Sequence, residues 1–129
     1  MSKKNIEKYI ADAIKVLDNE FKDDDVPSSY NGYISSFGAS VIQSGLKPTL
    51  ALFENKNANS KEKKEKLPSL ILQVLDPSSK EDSLLRYVLQ HEKQGKDEAY
   101  IKQQILDISV AIKLGIRTFK LDDKGQQDE

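Results

Sequence analysis

Residues 5–21 place Ile6, Tyr9, Ile10, Ala13, Ile14, Leu17 and Phe21 at steps of three and four, with no glycine or proline between them. Only a helix gathers that spacing onto one side, here as a single apolar stripe about five turns long. A strand would scatter the same residues over both faces, because its side chains alternate with period two. The stripe is useless to an isolated helix and must be buried against other elements. What else the chain offers to bury it therefore sets the fold.

The rest of the sequence answers with more helices. After the acidic break Asp23, Asp24, Asp25 and Pro27, the positions Tyr30, Tyr33, Ile34, Phe37, Val41 and Ile42 keep the same rhythm. A second helix is expected from Pro27 or Ser28, since proline suits a first helical turn where its missing N–H has no partner anyway. Gly45 followed by Leu46 reads as a left-handed C-terminal cap. Pro48 then opens a short apolar segment over 49–55, with Leu50, Ala51, Leu52 and Phe53. Residues 55–66 are polar and carry Lys56, Lys61, Lys63, Lys64 and Lys66 against Glu62 and Glu65, a loop running into a solvated helix start at Ser60. An apolar helix over 70–75 ends at Asp76-Pro77. Ser78 with Glu81, and Ser79 with Asp82, both have capping-box spacing and predict a helix start there. Leu84, Leu85, Val88 and Leu89 form the apolar face of that helix, which Gly95 ends. Asp97 caps a last helix carrying Tyr100, Ile101, Ile105, Ile108, Ala111, Ile112, Ile116 and Phe119.

No stretch alternates strictly over five residues, and the Asn31-Gly32 pair lies inside a helical pattern, not between strands. The expected fold is all-α, a single compact bundle of five to six helices. One helical domain should span residues 1–121, with a polar C-terminal tail over 122–129.

Composition removes several function classes. The chain has 129 residues, 20 Lys plus Arg against 21 Asp plus Glu, and no cysteine. That length supports one domain. Balanced charge argues against disorder and against a polybasic nucleic-acid module. Without cysteine there is no disulfide framework, Fe–S cluster or cysteine zinc site. No apolar run reaches the roughly 20 residues of a membrane helix, and the start MSKKNIEKYI has no apolar signal region. These features describe a small soluble cytoplasmic domain with no membrane contact.

Catalysis needs convergent groups, and none is announced. His91 is the single histidine and follows an apolar helix face; it reads as an exposed helix-end residue favoured by the helix dipole. Asp23, Asp24 and Asp25 point in different directions and read as a solvated break, not a cation site. No phosphate loop or dinucleotide fingerprint is present. The expectation is a protein that is not an enzyme, with no catalytic residues, no metal and no cofactor.

Basic patterning is more informative. Lys113, Arg117, Lys120 and Lys124 step by four, three and four, so on a continuous helix they share a face distinct from the isoleucine face. Such a stripe can follow a phosphate backbone. An ordinary solvated face also has this pattern.

The segment 30–56, YNGYISSFGASVIQSGLKPTLALFENK, has a recognisable form: a helix beginning near a tyrosine, the Gly45-Leu46 turn, the small apolar run at 49–53, and Lys56. It resembles the small α-helical subunit of the type III-B CRISPR effector, the Cmr complex; the type III-A small subunit is a near alternative. The resemblance implies a non-catalytic structural subunit in antiviral defence. Such a subunit stacks along an RNA-guided filament beside the backbone subunit, other Cmr subunits and neighbouring copies of itself. It helps hold guide RNA and target RNA. Matching positions make Lys47 and Lys56 candidate RNA contacts; Lys113, Arg117 and Lys120 join them from the stripe. Two further readings are a helical protein-interaction module without an RNA role and a helix-turn-helix DNA binder turning at Gly45, which the acidic balance disfavours.

Overall fold

The computed structural model describes residues 3–22, 26–55, 65–95, 97–118 and 121–122. Among them are six helices: α1 (Lys3–Phe21), α2 (Ser29–Ser44), α3 (Leu46–Phe53), α4 (Lys66–Leu75), α5 (Leu84–Lys93) and α6 (Glu98–Ile116). The all-α expectation is met.

Helix α6 is the spine. It packs most extensively along α1, then against α2 and α4. Ile101, Ile105, Ile108, Ala111, Ile112 and Ile116 are buried along it. Ala13, Leu17 and Phe21 of α1 meet them, and Tyr30, Ile34, Phe37 and Val41 of α2 complete the same core. Gly115 lets α1 come close, because a Cβ there would lie 3.2 Å from Leu17 Cδ1 and 3.4 Å from Ile14 Cγ1. Three positions depart from the predicted faces. Tyr100 is 66%, Ile42 68% and Leu89 43% exposed, so these apolar stripes are narrower than their periodicity suggests.

Helices α2 and α3 are joined by one residue. Gly45 has φ 101° and ψ 160°, positive in φ as expected but extended in ψ, so it is not a left-handed helical cap. Its N–H donates to the Val41 carbonyl at 3.0 Å and its own carbonyl accepts from Thr49 N at 3.3 Å, ending one helix and starting the next. Helix α3 therefore begins at Leu46, ahead of the predicted start, with Pro48 in its first turn where no N–H is needed. The two helices run back along each other. Ser40 Oγ lies 2.7 Å from Thr49 Oγ1, and the Phe37 and Phe53 rings meet edge to face at 5.3 Å.

Pro27 does not open α2. Val26–Pro27 forms a two-residue strand, β1, which pairs in parallel with β2 (Leu121–Asp122), and α2 starts at Ser29. Leu121, the last residue of the expected helical domain, is thus tied to the corner between α1 and α2. Val26 is fully buried there. Residues 123–129 lie outside the described residues, as does the predicted helix start at Ser60.

Candidate functional surface

Lys47, on the first turn of α3, has its Nζ 2.7 Å from Glu92 Oε1 of α5 and 4.0 Å from Glu98 Oε1 of α6. It joins three helices. The hydrogen bond it donates to Glu92 holds its ammonium above the usual lysine range, partly opposed by burial and aided by the charges of Glu92 and Glu98. Its charge is already partnered, although the side chain keeps 38% exposure. Lys66 of α4 pairs with Glu20 of α1 at 2.7 Å.

Lys113 lies in the last turn of α6 and is half-buried, while Arg117 is exposed at its C-cap. Their spacing of four keeps them on one side of the helix end. Among the described residues neither makes an ion pair. The stripe does not continue as a helix. The Arg117 and Thr118 N–H groups bond back to the Leu114 and Gly115 carbonyls at 3.2 and 3.0 Å, the Thr118 hydroxyl donates to Gly115 at 2.7 Å, and Leu121 already belongs to β2. The α6 face itself ends at Ile116. Lys56, Lys120 and Lys124 lie outside the described residues.

The start of α5 differs from the capping-box prediction. The helix begins at Leu84, not near Ser78, and Ser83 is its N-cap, accepting from Arg86 N at 3.2 Å. The acid a capping box would place three residues on comes instead from α3. Glu54 Oε1 accepts the Ser83 hydroxyl at 2.6 Å, and Glu54 Oε2 accepts the Leu84 and Leu85 N–H groups at 2.8 and 3.3 Å. A carboxylate on two free N–H groups at the positive end of a helix is favoured by hydrogen bonding and dipole alike. Ser78 and Ser79 serve the preceding turn, Ser78 donating to Asp76 Oδ1 at 2.9 Å and Ser79 accepting from Glu81 N at 3.1 Å. The groove beside this cap is lined by Glu54, Glu65, Asp82, Lys66 and Arg86, so both charge signs face it.

His91 is half-buried, not exposed. Its ring stacks on Tyr87 at 4.0 Å, and its Nδ1 donates to the Tyr87 carbonyl at 3.0 Å, since that carbonyl can only accept. Tyr87 in turn donates to Asp76 Oδ2 at 3.2 Å. Burial first, then the Asp76 charge and hydrogen bond, push its phenol up to about 12. This cluster locks α5 onto the end of α4. Asp107, buried in α6, accepts from Gln103 Nε2 at 3.0 Å. Among the described residues no three His, Asp or Glu side chains come together as a ligand set, and no helix is long and apolar enough to cross a membrane.

Fold and surface define a compact all-α protein whose helices are tied by cross-helix charge pairs, with two cations at the end of its central helix that have no acidic partner among the described residues. The family model described as CRISPR-associated protein (Cas_Cmr5) matches residues 3–113. The chain belongs to that family, and is a small CRISPR-associated subunit of the type III-B Cmr group. Membership implies association with other components of the Cmr complex. No curated protein and no solved structure matches it. The matched span includes the 30–56 segment that carries the resemblance, with Lys47 and Lys56, and ends at Lys113; Arg117 and Lys120 lie beyond it.

Proposed function

We propose that the protein is a non-catalytic structural subunit of the type III-B effector in the cytoplasm. It stacks along the RNA-guided filament beside the backbone subunit and neighbouring copies of itself, and helps hold guide and target RNA in antiviral defence. Family membership supports assembly with other Cmr subunits. The observation that carries the RNA contact is the pair Lys113 and Arg117, on one side of the α6 end and without acidic partners among the described residues. Lys47 is a weaker contact than its sequence position suggests, because Glu92 and Glu98 already neutralise it.

The test is the assembled complex carrying Lys113→Glu and Arg117→Glu, titrated with target RNA over a salt series. Two phosphate contacts contribute roughly 1.4–1.8 to the slope of log affinity against log salt. The expected result is normal assembly, weaker RNA binding and a shallower slope by about that amount. Unchanged affinity and slope would remove the RNA contact from this end of α6.

A further inference from the structure

The basic side of α6 extends backward from Lys113. Lys102, Leu106, Val110, Lys113 and Arg117 step by four, four, three and four, so they line one side of the helix. Gly115 faces Leu17 and Ile14 of α1 and lies about half a turn from both Lys113 and Arg117, so this strip is turned away from α1. Lys102, Leu106, Val110 and Lys113 are half-buried, and Arg117 is exposed. Neither acid of α6 opens onto the strip. Asp107 is buried and bonded to Gln103, and Glu98, one turn before Lys102, lies 4.0 Å from Lys47. Among the described residues Lys102 makes no ion pair, like Lys113 and Arg117.

Helix α2 borders this strip without adding charge. A Cβ at Gly38 would lie 3.9 Å from Ser109 Oγ, so the two backbones come close there. Ser109 is four residues before Lys113, which puts α2 along the edge of the strip. Ser35 and Ile42, three before and four after Gly38, flank the approach and are exposed. No residue of α2 is charged. The strip and its α2 border therefore carry positive charge alone, from Lys102 to Arg117, over about 22 Å of helix.

We infer that RNA lies lengthwise along α6, its backbone touching Lys102 as well as Lys113 and Arg117; the inference rests on the RNA contact proposed above for the helix end. The contact is to phosphates, not bases. The strip has no aromatic side chain on which a base could stack, and lysine and arginine reach phosphates without reading sequence. A protein partner is the poorer occupant, because Leu106 is packed against the core and no aromatic anchor stands beside it.

The test is the assembled complex carrying Lys102→Gln, titrated over a salt series with two target RNAs of unrelated sequence, each with its matching guide. Losing one phosphate contact should make the slope of log affinity against log salt shallower by about 0.7–0.9, equally for both sequences. Lys102→Arg should restore the slope. Lys80→Gln, the same charge change in the exposed turn before α5, should leave it native. The Lys113→Glu/Arg117→Glu complex separates the two readings. A shallower slope there with a native slope in Lys102→Gln confines RNA to the helix end and overturns this inference alone. Native slopes in both remove the RNA reading, and this inference with it. A folded Lys102→Gln chain that no longer assembles makes the strip a protein contact and also overturns the inference. If Lys102→Gln fails to fold, amide NMR of the native isolated chain titrated with a short oligouridylate replaces it. Shifts should then appear at Lys102, Leu106 and Val110 as well as at Lys113 and Arg117; shifts at the last two alone, or none along α6, overturn the inference.

Discussion

Removing the Glu54 carboxylate tests a helix cap supplied from about thirty residues away. Helix α5 has ten residues, too short to persist without tertiary support. Its first two N–H groups and the Ser83 hydroxyl all donate to Glu54. Glu54→Ala strands those donors at a half-exposed site. Hydrogen bonds to a charged acceptor contribute about 1.5–3 kcal/mol each when fully buried, and water recovers part of that here, so the whole loss should be about 2–3 kcal/mol. Glu54→Gln keeps an acceptor oxygen and loses the charge–dipole attraction, about 1 kcal/mol. For a chain of this size 1 kcal/mol moves Tm by about 3–5 °C. Melting should therefore fall by roughly 6–12 °C in Glu54→Ala and roughly 3–5 °C in Glu54→Gln. Hydrogen exchange gives the residue-level readout, with Leu84 and Leu85 amides losing protection ahead of α6. A double-mutant cycle with Ser83→Ala should show coupling above about 0.5 kcal/mol, because the two side chains share one bond. Native melting and native protection of Leu84 and Leu85 in Glu54→Ala would refute the long-range cap.

Other predictions follow from single contacts. Gly115→Val should cost about 2–3 kcal/mol in urea unfolding, because the added methyls meet Leu17 and Ile14 at positions already within 3.4 Å of a Cβ. Tyr87 should ionise near pH 12 in a spectrophotometric titration, above the ordinary tyrosine value. Its folded pKa is raised, so its contribution to stability is complete below about pH 10 and is lost as pH climbs from about 10 toward 12; Tyr87→Phe should remove both the late ionisation and that part of the alkaline loss. Lys47→Met should lower the denaturant midpoint at low salt and less at high salt, as fits a partly exposed ion pair.

Elements built from their own residues were legible in the sequence. Helices α1 and α6 follow from isoleucine and leucine spacing, and Asp97 caps α6 as read, accepting from Ala99 N at 3.0 Å. What escaped depends on distant partners. Two capping boxes at Ser78 and Ser79 looked better than Ser83, because the acid completing the Ser83 cap sits 29 residues earlier. The β1–β2 ladder is two residues long, too short to show alternation, and its halves come from opposite ends of the chain. Lys47 looked free because Glu92 and Glu98 reach it only through the packing of three helices. Lys113 and Arg117 were legible as a pair, but the stripe beyond them assumed a helix that stops at Ile116.

Lys47 and Glu54 make one further connection between folding and surface. They flank α3, the shortest helix, and each fastens one of its ends to α5. Without such ties an eight-residue helix rests on Leu46, Thr49, Leu50 and Phe53. Drawing both charges inward stabilises α3, and the same act strips charge from its exposed side. The stability of that corner and its chemical character therefore have one cause. Substituting Lys47 should accordingly loosen α3 as well as the bundle, whereas an equal charge change at Arg117, beyond the end of α6, should leave α3 untouched.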